Sequence, residues 1–535
     1  MFFYGRLMHV FIVHGDLTRI ACDAWLMPCG IDAKPGPHWL TDIETNPFFR
    51  WPAPPVDWSI TGRRCIKLHS ERQRGHNGSL RPIPWLVNVG GGRRQGIEWF
   101  VDGVRAFMDC VAQDEELQQP LHGRARPLVA LPIVGTGYGG ARMRAGLVVR
   151  ALLPCLYECA REHGIDIALV VKDQADYAAA QRERLSYQQA GQHRWPELGR
   201  GLRARAEKLA ERASAGELVV FLGSGVSRGA GLPTWGEFLR QLAEQPDQQM
   251  EIEWEELARW NYTDQARIIE RGFGGRERMG EAIARCLKRR NYSLSHAFLA
   301  GLPTLETVTT NYDTLFEMAS ASIDKPVAVL PYEPVRPEER WILKMHGCIS
   351  HPEDIVLTRE DYLRYTERRR ALAGIVQALL ITKHMMFVGF SLDDDNFHRI
   401  ADDVRKIVWA NERGEPFGTS IVLDSRPFLA QMWDGEIEMV VVDESEQAGV
   451  ATNTVGALAE RARKLEIFLD YLLAQVADPN HLLNARFAHL LTEDEAALSD
   501  ALHAFIASTT PQMRQTAAWA KIQRLLTELG WSPRR

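Results

Sequence analysis

The sequence has no Cys-x-x-Cys pair, no long apolar run and no large excess of charge of either sign. Its eight cysteines therefore give neither a disulfide framework nor a zinc ribbon, which is typical of a reduced, cytoplasmic protein. No stretch reaches the roughly 18 uninterrupted apolar residues of a membrane span, so we expect no contact with a membrane. The formal charge of −6 argues against a basic nucleic-acid coat.

The composition is that of a globular protein, with 45% hydrophobic and 25% charged residues. Four segments differ in pattern. Residues 1–180 alternate short β-branched runs with Gly and Pro turns, which predicts a layered α/β domain with a mixed sheet. Residues 181–214 are polar and Arg-rich, as in a linker followed by a solvated helix. Residues 215–445 alternate strands and helices, which predicts a Rossmann-like parallel sheet, and residues 446–535 show helical periodicity alone.

Each predicted strand is a short apolar run that ends at a turn signal. The helix before the last strand of the first segment contains Pro154, which is expected to kink or interrupt it. The strand predictions are HVFIVHGDL, DAWLMPCG, WLVNVGGG, LVALPIVGTG and IDIALVVKD in the first segment, and ELVVFLGSG, LETVTTNYD, WILKMHG, MMFVGFS, TSIVLD and EMVVVD in the third.

A glycine-rich turn follows the first strand of the third segment. Gly223 and Gly225 allow the backbone to turn tightly and to approach a diphosphate without a Cβ clash. Exposed amides just beyond them can hold anionic oxygens at a helix start. The spacing is not the dehydrogenase G-x-G-x-x-G, because Gly229 comes one residue late. Thr234 and Glu237 fit a capping box for the next helix.

Polar residues also follow three later strands: Asn311 and Asp313 follow the second, His346 the third, and Ser391 the fourth. Ligands of open parallel sheets bind outside the carboxyl ends of the strands. We therefore expect these residues to converge on one site. The acidic run 393–395 is better explained by a capped helix start than by a metal site.

These motifs together resemble the sirtuin (silent information regulator) superfamily over about residues 206–445. The likeness rests on G-x-G-x-S-x-x-x-G-x-P-x-aromatic from 223 to 235, Asn311-x-Asp313, His346-Gly347 and Ser295-His296. It implies that Asn311 and His346 are catalytic, and that Asp313 orients one of these groups or favours the cationic transition state. The residues that the resemblance assigns to NAD binding are Gly223, Ser224, Gly225, Ser227, Pro233, Trp235, Gly389 and Ser391.

Two departures separate the chain from the protein-deacylating sirtuins. Only Cys348 lies between Gly347 and Met385, so the four cysteines of a structural zinc site are missing and no metal is expected. The segment that would clamp an acyl-lysine peptide is not recognisable. The variants look like the bacterial defence branch, which implies an anti-phage effector that depletes NAD by releasing nicotinamide and ADP-ribose or a cyclic product. An NAD-dependent deacylase, an ADP-ribosyltransferase and a non-catalytic nucleotide sensor stay open as alternatives.

The first segment resembles a macro domain over about residues 1–180, through the motifs at 14–18, 23–26 and 132–140. The hydrolytic Asn-Ala-Ala-Asn loop is replaced by residues 27–32. Without those asparagines we do not expect removal of ADP-ribose from proteins, and the resemblance implies binding of an ADP-ribose-type signalling nucleotide. A scaffold, or a domain that recognises a phage component, stays open as the alternative. A phage-derived trigger or an operon partner, and assembly into a homo-oligomer, are further expectations. The residues expected to hold the nucleotide are Asp16 at the adenine and Gly135, Thr136, Gly137 and Tyr138 at the diphosphate.

Overall fold

A computed structural model gives the architecture of residues 7–39, 58, 64–69, 79–90, 96–136, 140–189, 195–250, 252–407, 414–443 and 454–532. Its backbone forms two β-sheets, one after the other along the chain, with helices packed against both. The fold class is therefore α/β, as the alternation of strands and helices predicts.

The first sheet is mixed and has the strand order β1-β6-β5-β2-β4-β3. β3 runs antiparallel to β4, and the other neighbouring strands are parallel. Most of the parallel strands carry continuous apolar runs because helices or other elements cover both faces of the sheet. The strands are β1 Val10–His14, β2 Ala24–Cys29, β3 Cys65–Lys67, β4 Ile83–Asn88, β5 Leu128–Leu131 and β6 Asp166–Val171.

The second sheet has seven strands, all parallel, in the order β13-β12-β11-β7-β8-β10-β9. The chain order reverses beside β7, the point at which open parallel sheets bind their ligands. The strands are β7 Leu218–Leu222, β8 Glu306–Thr309, β9 Ala328–Leu330, β10 Trp341–Lys344, β11 His384–Val388, β12 Gly418–Val422 and β13 Ile437–Val441.

The helices connect the strands and cover the two sheets. Thr234 and Glu237 form the predicted capping box. The α-helices described are Ile97–Ala112, Ala145–His163, Gln174–Gln189, Arg200–Ser214, Trp235–Ala243, Trp254–Leu257, Tyr262–Gly272, Arg276–Leu287, Leu294–Gly301, Leu315–Ser322, Arg359–Leu363, Tyr365–Thr382, Asp395–Ile407, Pro427–Met432, Val455–Gln475, Glu493–Ser508 and Ala517–Glu528.

The helix Val455–Gln475 packs against both sheet units, and buried charges attach it to the first of them. It touches β1 of the first unit and the helices Arg200–Ser214 and Leu294–Gly301 of the second. Asp470 is 0% exposed and accepts hydrogen bonds from Arg184, His9 and Trp195. Arg463 of the same helix pairs with Asp166 in β6, with Nε–Oδ2 at 2.6 Å. These buried ionic partners anchor the helix to the first unit.

The structure differs from the sequence-based expectations at three places. Two short strands, β3 and β9, were not predicted, because three residues at a sheet edge give little pattern. Residues 181–189, assigned to a linker, belong to the helix Gln174–Gln189, because burial of Arg184 against Asp470 orders them. Pro154 lies inside the helix Ala145–His163 without ending it. Within the part of the chain that the structure describes, no helix is long and apolar enough to cross a membrane.

Candidate functional site

The strand register brings four of the predicted motifs to one edge of the second sheet. Leu222 of β7 pairs with Val388 of β11 and with Thr309 of β8, and Thr309 pairs with Lys344 of β10. The chain therefore leaves the sheet at the same end and at matching positions after β7, β8, β10 and β11. Asn311 and His346 are each two residues past the Thr309–Lys344 pair, on neighbouring strands that lie about 5 Å apart.

The glycines of the first turn pack against the turn after β11. A Cβ on Gly223 would clash with the backbone of Gly389, and one on Gly225 would lie 2.8 Å from Gly389 Cα. Gly389 itself has a φ of +66°, a conformation that favours glycine. The Gly225 amide donates to the Gly389 carbonyl, with N–O at 3.0 Å. In the structure these glycines thus allow two backbone turns to meet, and their contact with NAD stays a prediction.

Ser227 connects Asn311 and Asp313. The Ser227 hydroxyl donates to Asp313 Oδ2 at 2.8 Å, and Asn311 Nδ2 lies 3.4 Å from Ser227 Oγ. Asn311 Nδ2 also donates to the Gly223 carbonyl at 3.0 Å. Both side-chain hydrogen bonds of Asn311 to described residues use Nδ2, so Oδ1 is left to accept one from a ligand or from water.

A buried lysine is hydrogen-bonded to the backbone of this network. Lys344 is 1% exposed, donates to the backbone carbonyl of Asp313, and pairs with Glu317 Oε1 at 2.8 Å. Burial by itself would lower the pKa of Lys344, but the charge of Glu317 raises it above its usual range. The ammonium therefore stays charged and holds the Asp313 backbone in place.

His346 is 1% exposed and lies against polar side chains from the turn after β11. Its Nε2 is 3.3 Å from Asn396 Nδ2 and 3.6 Å from Asp394 Oδ2. Burial lowers the pKa of the imidazole, although Asp394 opposes that shift. The ring is therefore neutral at pH 7, and Nε2, which accepts a hydrogen bond from Asn396 Nδ2, is the unprotonated nitrogen that can take up a proton.

The other predicted NAD-binding residues lie around this edge. Ser224 and Ser391 are exposed, and Pro233 is half-buried. Trp235 is half-buried and meets the ring of Tyr312 edge-on, with centroids 5.9 Å apart. The structure thus brings Gly223, Ser227, Asn311 and Asp313 into direct contact, whereas Ser224 and Ser391 have no such contact with them.

Three residues of the site were not assigned a role from the sequence. Asp394 accepts from the Phe397 amide at 2.9 Å, so it caps its helix as predicted, but its other oxygen faces His346. Asn396 is 1% exposed, and its Oδ1 has no hydrogen-bond partner in the described structure. His296 lies 3.4 Å from Ser227 Oγ. The sequence signal for the first two was their place just after a strand end.

A cavity of about 520 Å³, called here the first cavity, opens at the carboxyl ends of the parallel strands of the first sheet. Its lining comes from the turns that follow β1, β2, β5 and β6, and it includes Asp16, Gly135 and Thr136 of the predicted nucleotide site. Asp16 Oδ1 accepts from the Thr18 amide at 3.0 Å. Gly137 and Tyr138, also predicted, lie outside the described residues.

Comparison with known protein families finds a match within the second sheet unit. Residues 305–417 match the family described as the SIR2-like domain. This segment is SIR2-like. It includes β8, β9, β10 and β11, and therefore Asn311, Asp313 and His346. Among the described residues, no three His, Cys, Asp or Glu side chains are grouped so as to hold a metal ion.

Several curated relatives are similar to part of the chain. One is the NAD(+) hydrolase ThsA of Bacillus cereus (strain MSX-D12), 29% identical over 203 residues, which is 36% of this chain and 41% of that protein. ThsA of Enterococcus faecium is 29% identical over 216 residues, 39% of this chain and 44% of the relative. Defense-associated sirtuin 2 of Bacillus subtilis is 24% identical over 212 residues, 38% of this chain and 20% of the relative. The chain thus spans less than half the length of these relatives.

Proposed function

We propose that the chain is an NAD hydrolase that splits NAD into nicotinamide and ADP-ribose or a cyclic product. The observation that carries the proposal is the convergence of Asn311, Asp313 and His346 on the sheet edge beside the glycine-rich turn. The ThsA relatives, named as NAD(+) hydrolases, align over up to 39% of this chain and support the same activity.

The geometry suits cleavage of the nicotinamide–ribose bond. That reaction develops positive charge on the ribose, which a nearby carboxylate such as Asp313 stabilises. Asn311 Oδ1 is free to orient water or a ribose hydroxyl, and its Nδ2 is held by Gly223 and Ser227. The neutral His346 can accept a proton from the hydroxyl or water that attacks.

Water as the acceptor distinguishes this proposal from a deacylase or a transferase. Either alternative needs an acyl-lysine peptide or an acceptor protein before NAD is consumed, whereas a hydrolase needs neither. We expect NAD loss by the purified full chain, once activated, to be equally fast with and without an acetyl-lysine peptide. NAD loss that occurs only after the peptide is added would instead favour the deacylase.

We further propose that the first sheet unit is macro-like and that its cavity takes an ADP-ribose-type nucleotide. The cavity is of the size of small-molecule sites, and backbone from several strand ends lines it. Lys34 and Lys172 are at its wall and would attract a diphosphate. An effector that depletes NAD needs such a control, because constant activity would harm its own cell.

Thr136→Glu should weaken ADP-ribose binding to this cavity by at least about tenfold, since a carboxylate at the lining would repel a diphosphate. Calorimetry on the full chain carrying His346→Ala, which blocks turnover, measures the affinity. Glu115→Ala, at an exposed position of the same unit outside the cavity lining, is the control and should bind as the parent does. Equal affinity in the Thr136→Glu variant would show that the nucleotide lies elsewhere.

Anti-phage defence in the cytoplasm is the cellular role that fits these proposals. The name of the Bacillus subtilis relative supports a defence function. A phage-derived trigger or an operon partner would supply the activating signal. Exposed apolar side chains on the C-terminal helices, including Leu498, Phe505 and Leu525, support assembly with a second copy of the chain.

A further inference from the structure

A short segment, Tyr292–His296, is in contact with the lining of the first-sheet cavity at one end and with the hydrogen-bond network around Asn311 at the other. Tyr292 is 0% exposed and lies in the part of the sequence that forms the second sheet unit. It nevertheless forms an isolated parallel β-bridge with Ile20 of the first sheet unit. Its amide donates to the Arg19 carbonyl, and its carbonyl accepts from the Ala21 amide, both at 2.8 Å. The segment is thus hydrogen-bonded to the loop that follows β1.

The side chain of Tyr292 reaches the lining of the first cavity. Its hydroxyl accepts a hydrogen bond from the Asp16 amide at 3.0 Å. A Cβ on the neighbouring Gly15 would lie 2.8 Å from the same hydroxyl, so the Tyr292 side chain leaves no room for a larger residue at position 15. Gly15 and Asp16 both line the first cavity. A nucleotide that shifts this backbone therefore shifts the Tyr292 hydroxyl as well.

The other end of the segment reaches the network around Asn311. His296 Nδ1 lies 2.8 Å from Ser293 Oγ and 3.3 Å from the Ser293 amide, in a capping box. His296 Nε2 lies 3.4 Å from the hydroxyl of Ser227. Because Ser227 donates its hydrogen to the Asp313 carboxylate, it can only accept from His296, so Nε2 carries the imidazole proton.

Both ring nitrogens of His296 already have partners, Nδ1 at Ser293 and Nε2 at Ser227, so neither is left for a substrate. Burial lowers the pKa of His296 to about 4, so the ring is neutral at pH 7. Ser227 in turn bonds to both Asp313 and Asn311. His296 therefore fixes the position of Ser227, and through it the two residues proposed to act on NAD.

We propose that Tyr292–His296 couples the first cavity to the Asn311 site, with His296 as a positioning residue and Tyr292 as the contact to the Asp16 backbone. The proposal rests on the NAD site described above. It requires only that the hydrogen bonds at the two ends of the segment differ between the liganded and unliganded states. The segment is five residues long and buried, and close-packed interiors transmit strain. A displacement at one end of the segment therefore moves the other end.

The first test concerns His296 and uses NAD turnover by the full chain. His296→Gln keeps a donor near the Nε2 position, whereas His296→Asn keeps only the group near Nδ1. We expect His296→Asn to lower kcat by about tenfold or more with KM changed by less than about threefold, and His296→Gln to recover most of kcat. Equal kcat in the two variants would overturn the positioning role.

The second test follows hydrogen exchange in the peptide 11–20 of the full chain. The probe is carba-NAD, an NAD analogue whose carbocyclic ring prevents cleavage. In the wild-type chain it should slow exchange of the Asp16 amide by about fivefold or more, the lower range of allosteric coupling. Tyr292→Phe removes the hydroxyl acceptor and should abolish that effect. Tyr471→Phe, which removes another part-buried hydroxyl, should preserve it.

The outcomes separate this inference from the proposed function. Carba-NAD that does not bind the wild-type chain would overturn the NAD site, and the coupling with it. Carba-NAD that binds without slowing exchange at 11–20, or that slows it equally in Tyr292→Phe, would overturn the coupling alone.

Discussion

Asn311→Ala and His346→Ala should each reduce NAD hydrolysis by about a hundredfold to ten-thousandfold, the range seen when an oriented catalytic group is lost. Asn311 is the side chain with a free oxygen at the sheet edge, and His346 is the neutral base beside it. Nicotinamide release at saturating NAD measures the effect. Both substitutions leave the strands intact, so the proteins should stay folded by circular dichroism.

Matched controls separate catalysis from general damage. His489→Ala and Asn261→Ala replace the same residue types at exposed positions outside the second sheet edge. Both should retain the wild-type rate, even though Asn261 caps the helix Tyr262–Gly272. Unchanged NAD consumption in folded Asn311→Ala and His346→Ala would remove the proposed mechanism.

Asp470→Asn should be the most destabilising single change in the helix that joins the two units. It would leave the guanidinium of Arg184, also 0% exposed, without its carboxylate partner. Breaking a buried ion pair in this way costs about 3–5 kcal/mol. His9 and Trp195 would lose the same acceptor. The thermal midpoint of unfolding should therefore fall by several degrees.

Two further variants test the physical reason for that loss. Arg184→Met combined with Asp470→Leu removes both charges, so it should be more stable than Asp470→Asn alone. Arg240→Ala breaks an exposed ion pair with Glu244 and should leave the midpoint unchanged. A midpoint for Asp470→Asn equal to that of the wild type would show that this buried cluster does not stabilise the packing of the helix.

The strands were predictable because their residues carry strong local signals. The strands β7 and β11 are fully buried, and their runs LVVFL and MMFV are apolar as a buried strand requires. β3 and β9 have three residues each and lie at sheet edges, so no run distinguishes them. Burial of Arg184 was equally unpredictable, since its partner Asp470 is 286 residues away in the chain.

The candidate site shows the same division between local and distant information. That Asn311, Asp313 and His346 follow strands could be read from the sequence, because each comes directly after an apolar run. That Ser227 joins Asn311 to Asp313, or that Asn396 faces His346, depends on the strand order. The contact between Tyr292 and Asp16 depends on how the two sheet units pack, for which the sequence holds no local signal.

The most direct test of the central proposal is the amount of nicotinamide that the purified full chain releases per NAD consumed, with water as the only acceptor. Nicotinamide release is measured without any added nucleotide and again with ADP-ribose derivatives as activators. The Asn311→Ala variant serves as the inactive control. The account predicts one nicotinamide per NAD, together with ADP-ribose or its cyclic form. NAD that binds but stays intact under every condition, or that is lost only when an acyl peptide is present, would contradict it.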